Sequence, residues 1–340
     1  MNSPLGITCH AWNNIRTQIV VATNSSVLEI YQVRGEEWDK LYELKEHNQL
    51  VSAVDWHPIT NRIISCSHDR NVVVWEFAQE WKPNLVNFYQ NRAVLDVSWS
   101  ARGDKFAVGT GSKLVGVGFP SQVLQGWTTK KSRCTTSSVT CIRFDPSGLV
   151  VAAGSTDMSI VVMTAYIPEV DSSQTASGRF ASINTFGDVI YSLAADAWVN
   201  SLCWSPDATW IAIATHKPSM IFTDLQTPQK IDLKGRPFLS TTFIGENKIV
   251  AGGFDFLPVS FELAGNSWRE GKKYESFEEA KAPAGGVKSS FQIIRDQLDQ
   301  KKGRAQLSTR HKNFITSIRA INQSGFSTSD ILGNIYLWTS

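Results

Sequence analysis

Short apolar runs separated by turn residues recur along the whole chain, and the stretch from Leu44 to Phe77 shows this pattern most clearly. It contains three runs, which begin at Val51, Ile63 and Val72. Each run is four to seven residues long and rich in β-branched and aromatic side chains, which favours strand over helix. Pro58 and Asn61 interrupt the runs, as expected for turns.

The first of these runs has seven copies in the chain. They are Ile7–Trp12, Val51–Trp56, Val94–Trp99, Val139–Phe144, Val199–Trp204, Phe238–Phe243 and Ile315–Ala320. Their last residues are spaced by 44, 43, 45, 60, 39 and 77 positions. Most of these intervals are close to the roughly 40–45 residues of one four-stranded propeller blade. The pattern therefore predicts an all-β fold, a seven-bladed β-propeller that takes up residues 1–340 as a single domain.

Three residues of the second copy resemble the signature of WD repeats. His47 precedes the first strand, Asp69 lies in the turn after the second strand, and Trp75 closes the third. We interpret all three as residues that hold the blade together. A Greek-key sandwich is disfavoured, because it would not place seven units in phase.

The two long intervals indicate insertions of different kinds. Residues 164–197 are rich in Ser and Thr and are expected to form an extended loop. Residues 264–310, before the last blade, contain a segment near 290–302 with helical periodicity. Phe291, Ile294 and Leu298 fall on one face of that helix.

Both ends of this helix carry the expected capping residues. Ser289 and Gln292 can form a capping box, and Gly303 suits the C-terminal cap. A helix of about 13 residues spans about 20 Å and is marginal alone in water. Its apolar face therefore either packs on the rim of the propeller or binds a partner.

Closure of the ring is expected to be weak. The last apolar run ends at Trp338, so the outermost strand of the seventh blade does not follow it. Propellers of this type usually take that strand from the N-terminus, but here Pro4 cannot donate to a strand ladder. We expect either a weak closure or a very short outer strand.

Composition and charge reduce the number of functional classes to which the chain can belong. The chain is 42% hydrophobic and 19% charged, which permits a large core. A net charge of +2 gives no general attraction to nucleic acid. Five cysteines without C-x-x-C spacing are typical of thiols in a reducing compartment. No signal peptide or membrane-length apolar run is evident, so a cytoplasmic protein without membrane insertion is expected.

Candidate catalytic and ligand-binding residues are scattered. His68 and Asp69 lie in a blade turn, and His10 lies within a strand, so hydrogen bonding inside the blades is the favoured role. The other histidines considered lack a ligand at metal-binding spacing; they are His57, His216 and His311. Gly109–Lys113 lacks the spacing of a phosphate loop. We expect no enzyme activity, no metal and no cofactor.

One basic cluster stands out between the third and fourth blades. It consists of Lys130, Lys131 and Arg133. It is either a solvated loop or a docking patch for an acidic segment of a partner.

Three strings in the chain are more specific than a general repeat pattern: Ile7-Thr-Cys-His-Ala-Trp-Asn13, Glu43-Leu-Lys-Glu-His-Asn48 and Lys105-Phe-Ala-Val-Gly109. They resemble subunit 1 of the actin-related protein 2/3 complex, a WD-repeat family, and the similarity covers about residues 7–338. The resemblance implies a non-catalytic scaffold within a seven-subunit assembly that holds two actin-related proteins. Such an assembly binds an existing actin filament and starts a branch when a nucleation-promoting factor delivers actin.

The resemblance also assigns a role to the insertion before the last blade. In the family this helix contacts actin of the mother filament. Phe291, Ile294 and Arg295 match the family pattern, Leu298 extends the apolar stripe, and Ile293 replaces a residue that is usually charged. The predicted location is the actin cytoskeleton.

Two other readings stay open. One is a WD-repeat adaptor or substrate receptor in a different multiprotein complex. The other is a hydrolase at the mouth of the channel, which would require His and carboxylate side chains to converge there.

Overall fold

A computed structural model describes residues 5–35, 37–86, 88–172, 178–275 and 309–339. In these ranges the chain forms seven antiparallel sheets, each built from strands that are consecutive in the sequence. Six sheets have four strands, and the seventh has three. The predicted seven-bladed β-propeller is thereby confirmed. The helix predicted near 290–302 lies outside the described residues.

The first four blades span the N-terminal half. Blade 1 has β1 (Ile7–Trp12), β2 (Gln18–Thr23), β3 (Leu28–Arg34) and β4 (Glu37–Leu44). Blade 2 has β5 (Val51–Trp56), β6 (Ile63–Ser67), β7 (Val72–Phe77) and β8 (Trp81–Val86). Blade 3 has β9 (Val94–Trp99), β10 (Phe106–Thr110), β11 (Val115–Ser121) and β12 (Gly126–Ser132). Blade 4 has β13 (Val139–Phe144), β14 (Val150–Ser155), β15 (Ser159–Ala165), helix α1 (Pro168–Asp171) and β16 (Phe186–Ala194).

The remaining three blades complete the circle. Blade 5 has β17 (Val199–Trp204), β18 (Ile211–Thr215), β19 (Ser219–Thr223) and β20 (Pro228–Asp232). Blade 6 has β21 (Phe238–Phe243), β22 (Lys248–Gly253), β23 (Val259–Ala264) and β24 (Ser267–Lys273). Blade 7 has β25 (Ile315–Asn322), β26 (Gly325–Asp330) and β27 (Ile335–Thr339).

All seven innermost strands share a β-bulge at their second residue. In four blades the bulged residue carries a polar side chain that donates a hydrogen bond to the next blade. These bonds are Thr8 Oγ1 to Val51 O (3.1 Å), Ser52 Oγ to Val94 O (2.6 Å), Thr140 Oγ1 to Val199 O (2.5 Å) and Asn200 Nδ2 to Phe238 O (2.8 Å). The bulge therefore lets a side chain of one sheet hydrogen bond to the backbone of the next sheet.

Apolar clusters between neighbouring blades form the core. In the described residues there are seven such clusters, one at each junction. Five of them bury 12 to 14 residues each. The two on either side of blade 7 are smaller, with six and five buried residues. At the closing junction Ile335 is the only described residue of blade 7 that is buried in the cluster.

Polar contacts supplement this thin junction between blades 7 and 1. The ring of His10 is fully buried, with Nδ1 at 3.1 Å from Ser329 Oγ and Nε2 at 2.8 Å from Ser327 Oγ. Trp12 Nε1 donates to the same Ser327 hydroxyl at 2.9 Å. Arg319 donates to the carbonyl of His10 at 2.9 Å. The small apolar cluster agrees with the expected weak closure, and buried hydrogen bonds offset part of it.

The interval 164–197 differs from the expected loop, because it contains α1 and β16. Pro168 occupies the first turn of α1, where its missing N–H is no loss. Asp171 accepts from the N–H of Ile167 at 2.7 Å and from Lys105 Nζ at 2.5 Å. Arg102 donates to its other oxygen at 2.6 Å. A buried ion pair with blade 3 therefore fixes a helix too short to show periodicity.

The buried His10 predicts a pH-dependent stability. Burial, and secondarily the charge of Arg319, lower the pKa of His10 from 6.5 to about 3. Below pH 6.5 the unfolded chain binds a proton that the folded chain does not, so acid destabilises the fold. At a pH of about 5 this costs about 2 kcal/mol. Urea unfolding at pH 7.5 and 5.0 should show this loss in the parent and a smaller one in His10→Gln.

The matched control is His68→Gln, which removes an exposed histidine. It should behave as the parent at both pH values. If His10→Gln loses as much stability in acid as the parent, His10 does not control the pH response.

Candidate functional site

In blade 2 the structure joins His47, Asp69 and Trp75 in one hydrogen-bonded chain. His47 Nδ1 lies 3.1 Å from Asp69 Oδ2, and its Nε2 lies 2.8 Å from Ser65 Oγ. Trp75 Nε1 donates to the same hydroxyl at 2.9 Å. Burial lowers the pKa of His47. The imidazole is therefore neutral at physiological pH and links the blade-to-blade connection to the second and third strands.

Asp69 also binds the backbone. Its oxygens accept from the N–H groups of Asn48 and Asn71 at 2.8 and 2.9 Å. Burial opposes ionisation of Asp69, but these N–H groups and His47 outweigh it and lower its pKa. With every polar atom engaged, this group acts as an internal brace.

A second hydrogen-bonded chain of the same kind lies in blade 7 and contains His311, for which the sequence pattern indicated no role. Its Nδ1 is 2.7 Å from Asp330 Oδ2 and its Nε2 is 2.6 Å from Thr328 Oγ1. Trp338 Nε1 donates to that hydroxyl at 2.7 Å. His311 and Trp338 are 27 positions apart in the sequence, close to the 28 positions between His47 and Trp75, and comparing these two separations could have revealed the second chain.

The remaining histidines are dispersed. His10 lies between blades 7 and 1, and His57 is buried with Nε2 at 3.0 Å from the carbonyl of Ala101. His216 and His68 are exposed. In the part of the chain that the structure describes, no three His, Cys, Asp or Glu residues form a group that could hold a metal ion.

The channel mouth is a cavity of about 660 Å³, and both arginines that line it lie close to a carboxylate. Arg143 lies 2.6 Å from Asp96, and Arg319 lies 3.7 Å from Asp55. Each carboxylate also accepts a backbone N–H from the next blade, Asp96 from Ile142 at 2.8 Å and Asp55 from Trp99 at 3.0 Å. These acids satisfy the free edges of innermost strands. A hydrolase would need His and carboxylate side chains to converge at this mouth. The described residues place arginine–carboxylate pairs there instead.

The basic cluster is partly used within the chain. Lys130 Nζ lies 3.3 Å from Glu169, and Lys131 Nζ donates to the carbonyl of Tyr89 at 2.6 Å. Lys131 also lies 4.6 Å from the centre of the Phe88 ring, and desolvation lowers its pKa. Arg133 instead lines a surface groove of about 730 Å³.

Two further cations line the same groove. They are Arg92 and Lys113, which come from separate loops. Among the described residues none of Arg92, Lys113 and Arg133 forms a salt bridge. The positive charge that no described carboxylate neutralises is therefore concentrated in the groove around Arg133.

The candidate actin-contacting residues Phe291, Ile294, Arg295 and Leu298 lie outside the described residues. The base of their insertion is described. Glu275 accepts from the N–H of Arg310 at 2.8 Å, and its other oxygen lies 3.5 Å from Arg310 Nε. Residues 264–275, which the sequence pattern assigned to the insertion, include β24, the outer strand of blade 6. Glu275 and Arg310 flank residues 276–308 and are held together at the junction of blades 6 and 7.

No helix in the described ranges is long and apolar enough to cross a membrane.

The fold and the two His–Asp–Ser/Thr–Trp chains define the class of protein as a WD-repeat propeller. A family model described as "WD domain, G-beta repeat" matches residues 38–76, 126–162 and 187–217.

Similarity to named proteins identifies one family within the class of WD-repeat propellers. The chain is 32% identical to "Actin-related protein 2/3 complex subunit 1B" of Arabidopsis thaliana, over 98% of this chain and 93% of that protein. It is 36% identical to subunit 1A-B of Xenopus laevis, over 75% and 71% of the two chains. It is 29% identical to subunit 1 of Schizosaccharomyces pombe, over 97% and 96%. The chain belongs to the family of actin-related protein 2/3 complex subunit 1.

The hydrogen bonds around His47 predict how a substitution at Asp69 changes the stability of the fold. Asp69→Ala leaves a buried ring nitrogen and two backbone N–H groups without their acceptor, so we expect a loss of about 2–3 kcal/mol in unfolding free energy. Urea denaturation checks this. Asp39→Ala on the exposed outer strand of blade 1 is the control and should change stability by less than about 0.5 kcal/mol. Equal effects of both variants would contradict the bracing role.

Proposed function

We propose that this protein is a non-catalytic scaffold subunit of an actin-nucleating complex of the actin-related protein 2/3 type. The observation that carries the proposal is its similarity, over nearly the whole chain, to proteins named as subunit 1 of that complex. The paired charges of the channel and the hydrogen-bonded histidines of the blades fit a rigid platform rather than a catalytic centre.

The partners follow from the family. The scaffold joins two actin-related proteins and the other subunits of a seven-subunit assembly, which works at the cytoplasmic actin cytoskeleton with nucleation-promoting factors. Affinity purification tests membership, because both actin-related proteins should co-purify with this chain. Their absence, with the subunits of another complex present, would favour an adaptor or substrate receptor.

The insertion before the last blade is the proposed contact with the mother filament. Its ends are clamped by Glu275 and Arg310, so the segment between them starts from a fixed base. Burying Phe291, Ile294 and Leu298 would contribute roughly 5–8 kcal/mol before costs. Ordering a segment on binding costs about 2–5 kcal/mol, which leaves a weak contact. Such a contact suits a site that acts together with others on the complex.

Charge placed on the apolar stripe should test this contact. Phe291→Asp with Leu298→Asp should leave complex assembly intact, because the blades are unchanged, and should reduce branching and filament binding about tenfold or more. Branch counts by fluorescence microscopy and filament co-sedimentation measure the two effects.

The matched control is Ile293→Asp with Gln300→Asp. It adds the same two charges on the opposite side of the predicted helix and leaves the capping box unchanged. It should branch as the parent does. Unchanged branching by the Phe291 and Leu298 variant would remove the insertion from the mechanism.

For the basic cluster we propose that docking of an acidic segment depends on Arg133 more than on Lys130 or Lys131. Lys130 is already paired with Glu169, while Arg133 shares its groove with Arg92 and Lys113. Fluorescence anisotropy with a labelled deca-glutamate probe at low salt should show roughly fivefold weaker binding for Arg133→Ala. Lys130→Ala should change it less than twofold. The opposite ranking would place the docking patch on the lysines.

A further inference from the structure

An exposed threonine holds the connection between blades 3 and 4 against blade 4. Thr136 lies in this connection, residues 133–138, between β12 and β13. Its backbone N–H and its hydroxyl both donate to Asp157 Oδ2, at 2.6 and 2.8 Å. The N–H of Ser137 donates to the same oxygen at 3.2 Å. Because Asp157 lies in the turn between β14 and β15, these bonds tie the connection to its blade.

Blade 2 holds the corresponding connection with a buried histidine. Thr135 takes the place of His47 in blade 4, because it precedes Asp157 by the same 22 positions that separate His47 from Asp69. Thr135 is buried, but its Oγ1 donates to the carbonyl of Ser137 at 2.9 Å, within the connection. Among the described residues of blade 4, the buried side chain that reaches the aspartate in blade 2 therefore has no counterpart.

The second and third strands of blade 4 also differ from those of blade 2. Ala153 and Met163, both fully buried, occupy the positions of Ser65 and Trp75. These two residues continue the hydrogen-bonded chain of blade 2, whereas alanine and methionine offer no such donor. In the described part of the chain, the hydrogen bonds from the connection to Asp157 thus come from Thr136 and Ser137.

The carboxylate that receives these bonds is ionised. Asp157 Oδ1 accepts the N–H of Ser159 at 2.9 Å and also its hydroxyl. Burial opposes ionisation of Asp157, but the hydrogen bonds from Ser159 and Thr136 outweigh it and lower its pKa. A second negative charge on the Thr136 oxygen would therefore be repelled at once, and the hydroxyl proton that makes the bond would be gone.

The residues before Thr136 match the charge pattern that basophilic protein kinases select. Arg133 and Lys131 precede it by three and five positions. Kinases of this kind bind such side chains through acidic pockets, so the charge pattern decides which hydroxyl reaches their active site. Exposure points to the same residue. Among the hydroxyl residues from Ser132 to Ser138, Thr136 is exposed and the others are buried or half-buried.

Thr136 also lies at the border of the positively charged groove. Arg133 and Ser138, which precede and follow it in the connection, both line the groove together with Arg92 and Lys113. A phosphate on threonine carries a charge of about −1.5 to −2 at neutral pH. Placed between two lining residues, it would cancel much of the charge of three cations and provide Arg133 with a partner.

From these observations we propose that Thr136 is a phosphorylation site and that phosphate on it closes the groove to acidic segments. A kinase transfers the γ-phosphoryl group of ATP, so that a bond forms between Thr136 Oγ1 and phosphorus. The bond from this phosphorus to the β–γ bridging oxygen breaks, ADP leaves, and the hydroxyl proton passes to the catalytic base of the kinase. Asp157 then repels the phosphate, the connection separates from blade 4, and the phosphate pairs with Arg133.

The two parts of the proposal depend on different premises. Closure of the groove rests on the docking of an acidic segment proposed above. Phosphorylation of Thr136 and release from Asp157 depend only on the geometry of blade 4.

Phosphopeptide mapping tests the site. The purified full chain is incubated with ATP and the catalytic domain of protein kinase B, which selects basic residues three and five positions before its target. Mass spectrometry should find phosphate on Thr136. Thr136→Asn should lose it and still fold, because blade 2 carries Asn48 at this position with the same backbone bond. Ser137→Ala is the matched control and should keep it. Phosphate confined to other residues, or none, would overturn the proposal.

Hydrogen exchange tests the release from blade 4. The amides of Thr136 and Ser137 should exchange roughly tenfold faster in the phosphorylated chain, because they lose Asp157 as their acceptor. The amide of Asn48, which donates to Asp69 in blade 2, should exchange equally in both forms. Unchanged exchange at Thr136 and Ser137 would show that the connection stays bound, which contradicts the switch.

Fluorescence anisotropy with the labelled deca-glutamate probe at low salt tests closure of the groove. Phosphorylation should weaken binding roughly tenfold, whereas Thr136→Asn treated with the same kinase should bind like the unmodified parent. Equal binding by the phosphorylated and unmodified chains would refute closure. An unmodified parent that does not bind the probe would refute the docking itself, and closure with it, while mapping and exchange decide the phosphorylation independently.

Discussion

The innermost strand of every blade is an edge strand, and this constraint shapes the rest of the ring. One side of the strand pairs within its own blade, and the other faces the channel with unpaired backbone groups that need partners. Neighbouring blades supply them: Asp55, Asp96, Ser201 and Ser240 each accept an N–H from the blade that follows. Bulged residues such as Ser52 donate across the same junctions. The blades are thus joined by their unsatisfied backbone as well as by their apolar faces, and the channel positions favour short polar side chains or paired charges.

The repeating part of this structure could be predicted from the sequence because its cause is local. Seven apolar runs of similar pattern predicted seven innermost strands, and all seven lie where the pattern placed them. Features that depend on distant partners left no such pattern. The short helix α1 exists because Asp171 meets Lys105 and Arg102, which are more than 60 positions away in the sequence. His311 seemed isolated because its partners, Asp330 and Thr328, are brought to it only by the pairing of β25 with β26.

The basic cluster shows again that residues adjacent in the sequence can have different surroundings in the fold. Lys130, Lys131 and Arg133 form one cluster in the sequence, but β12 turns them towards different surroundings. The lysines meet Glu169 and the carbonyl of Tyr89, whereas Arg133 meets a groove whose other cations come from two separate loops. Basic residues in a run therefore mark a surface, and only their partners in space decide which of them keeps charge available for another molecule.

Blade 7 has the least apolar packing against its neighbours of all the blades. The clusters on its two sides bury six and five described residues, against 12 to 14 at the other junctions. Arg310 donates to the carbonyl of Leu337 in the third strand of this blade and also clamps the base of the insertion. Weak packing at one blade would be a liability in an isolated propeller, because hydrophobic burial between blades supplies most of the stability. In a protein that works within an assembly, the same blade is where added contacts contribute most, since groups already ordered and left exposed gain free energy when a partner covers them. The base of the insertion lies at this same blade, so a partner that binds there also stabilises the part of the ring from which the insertion departs.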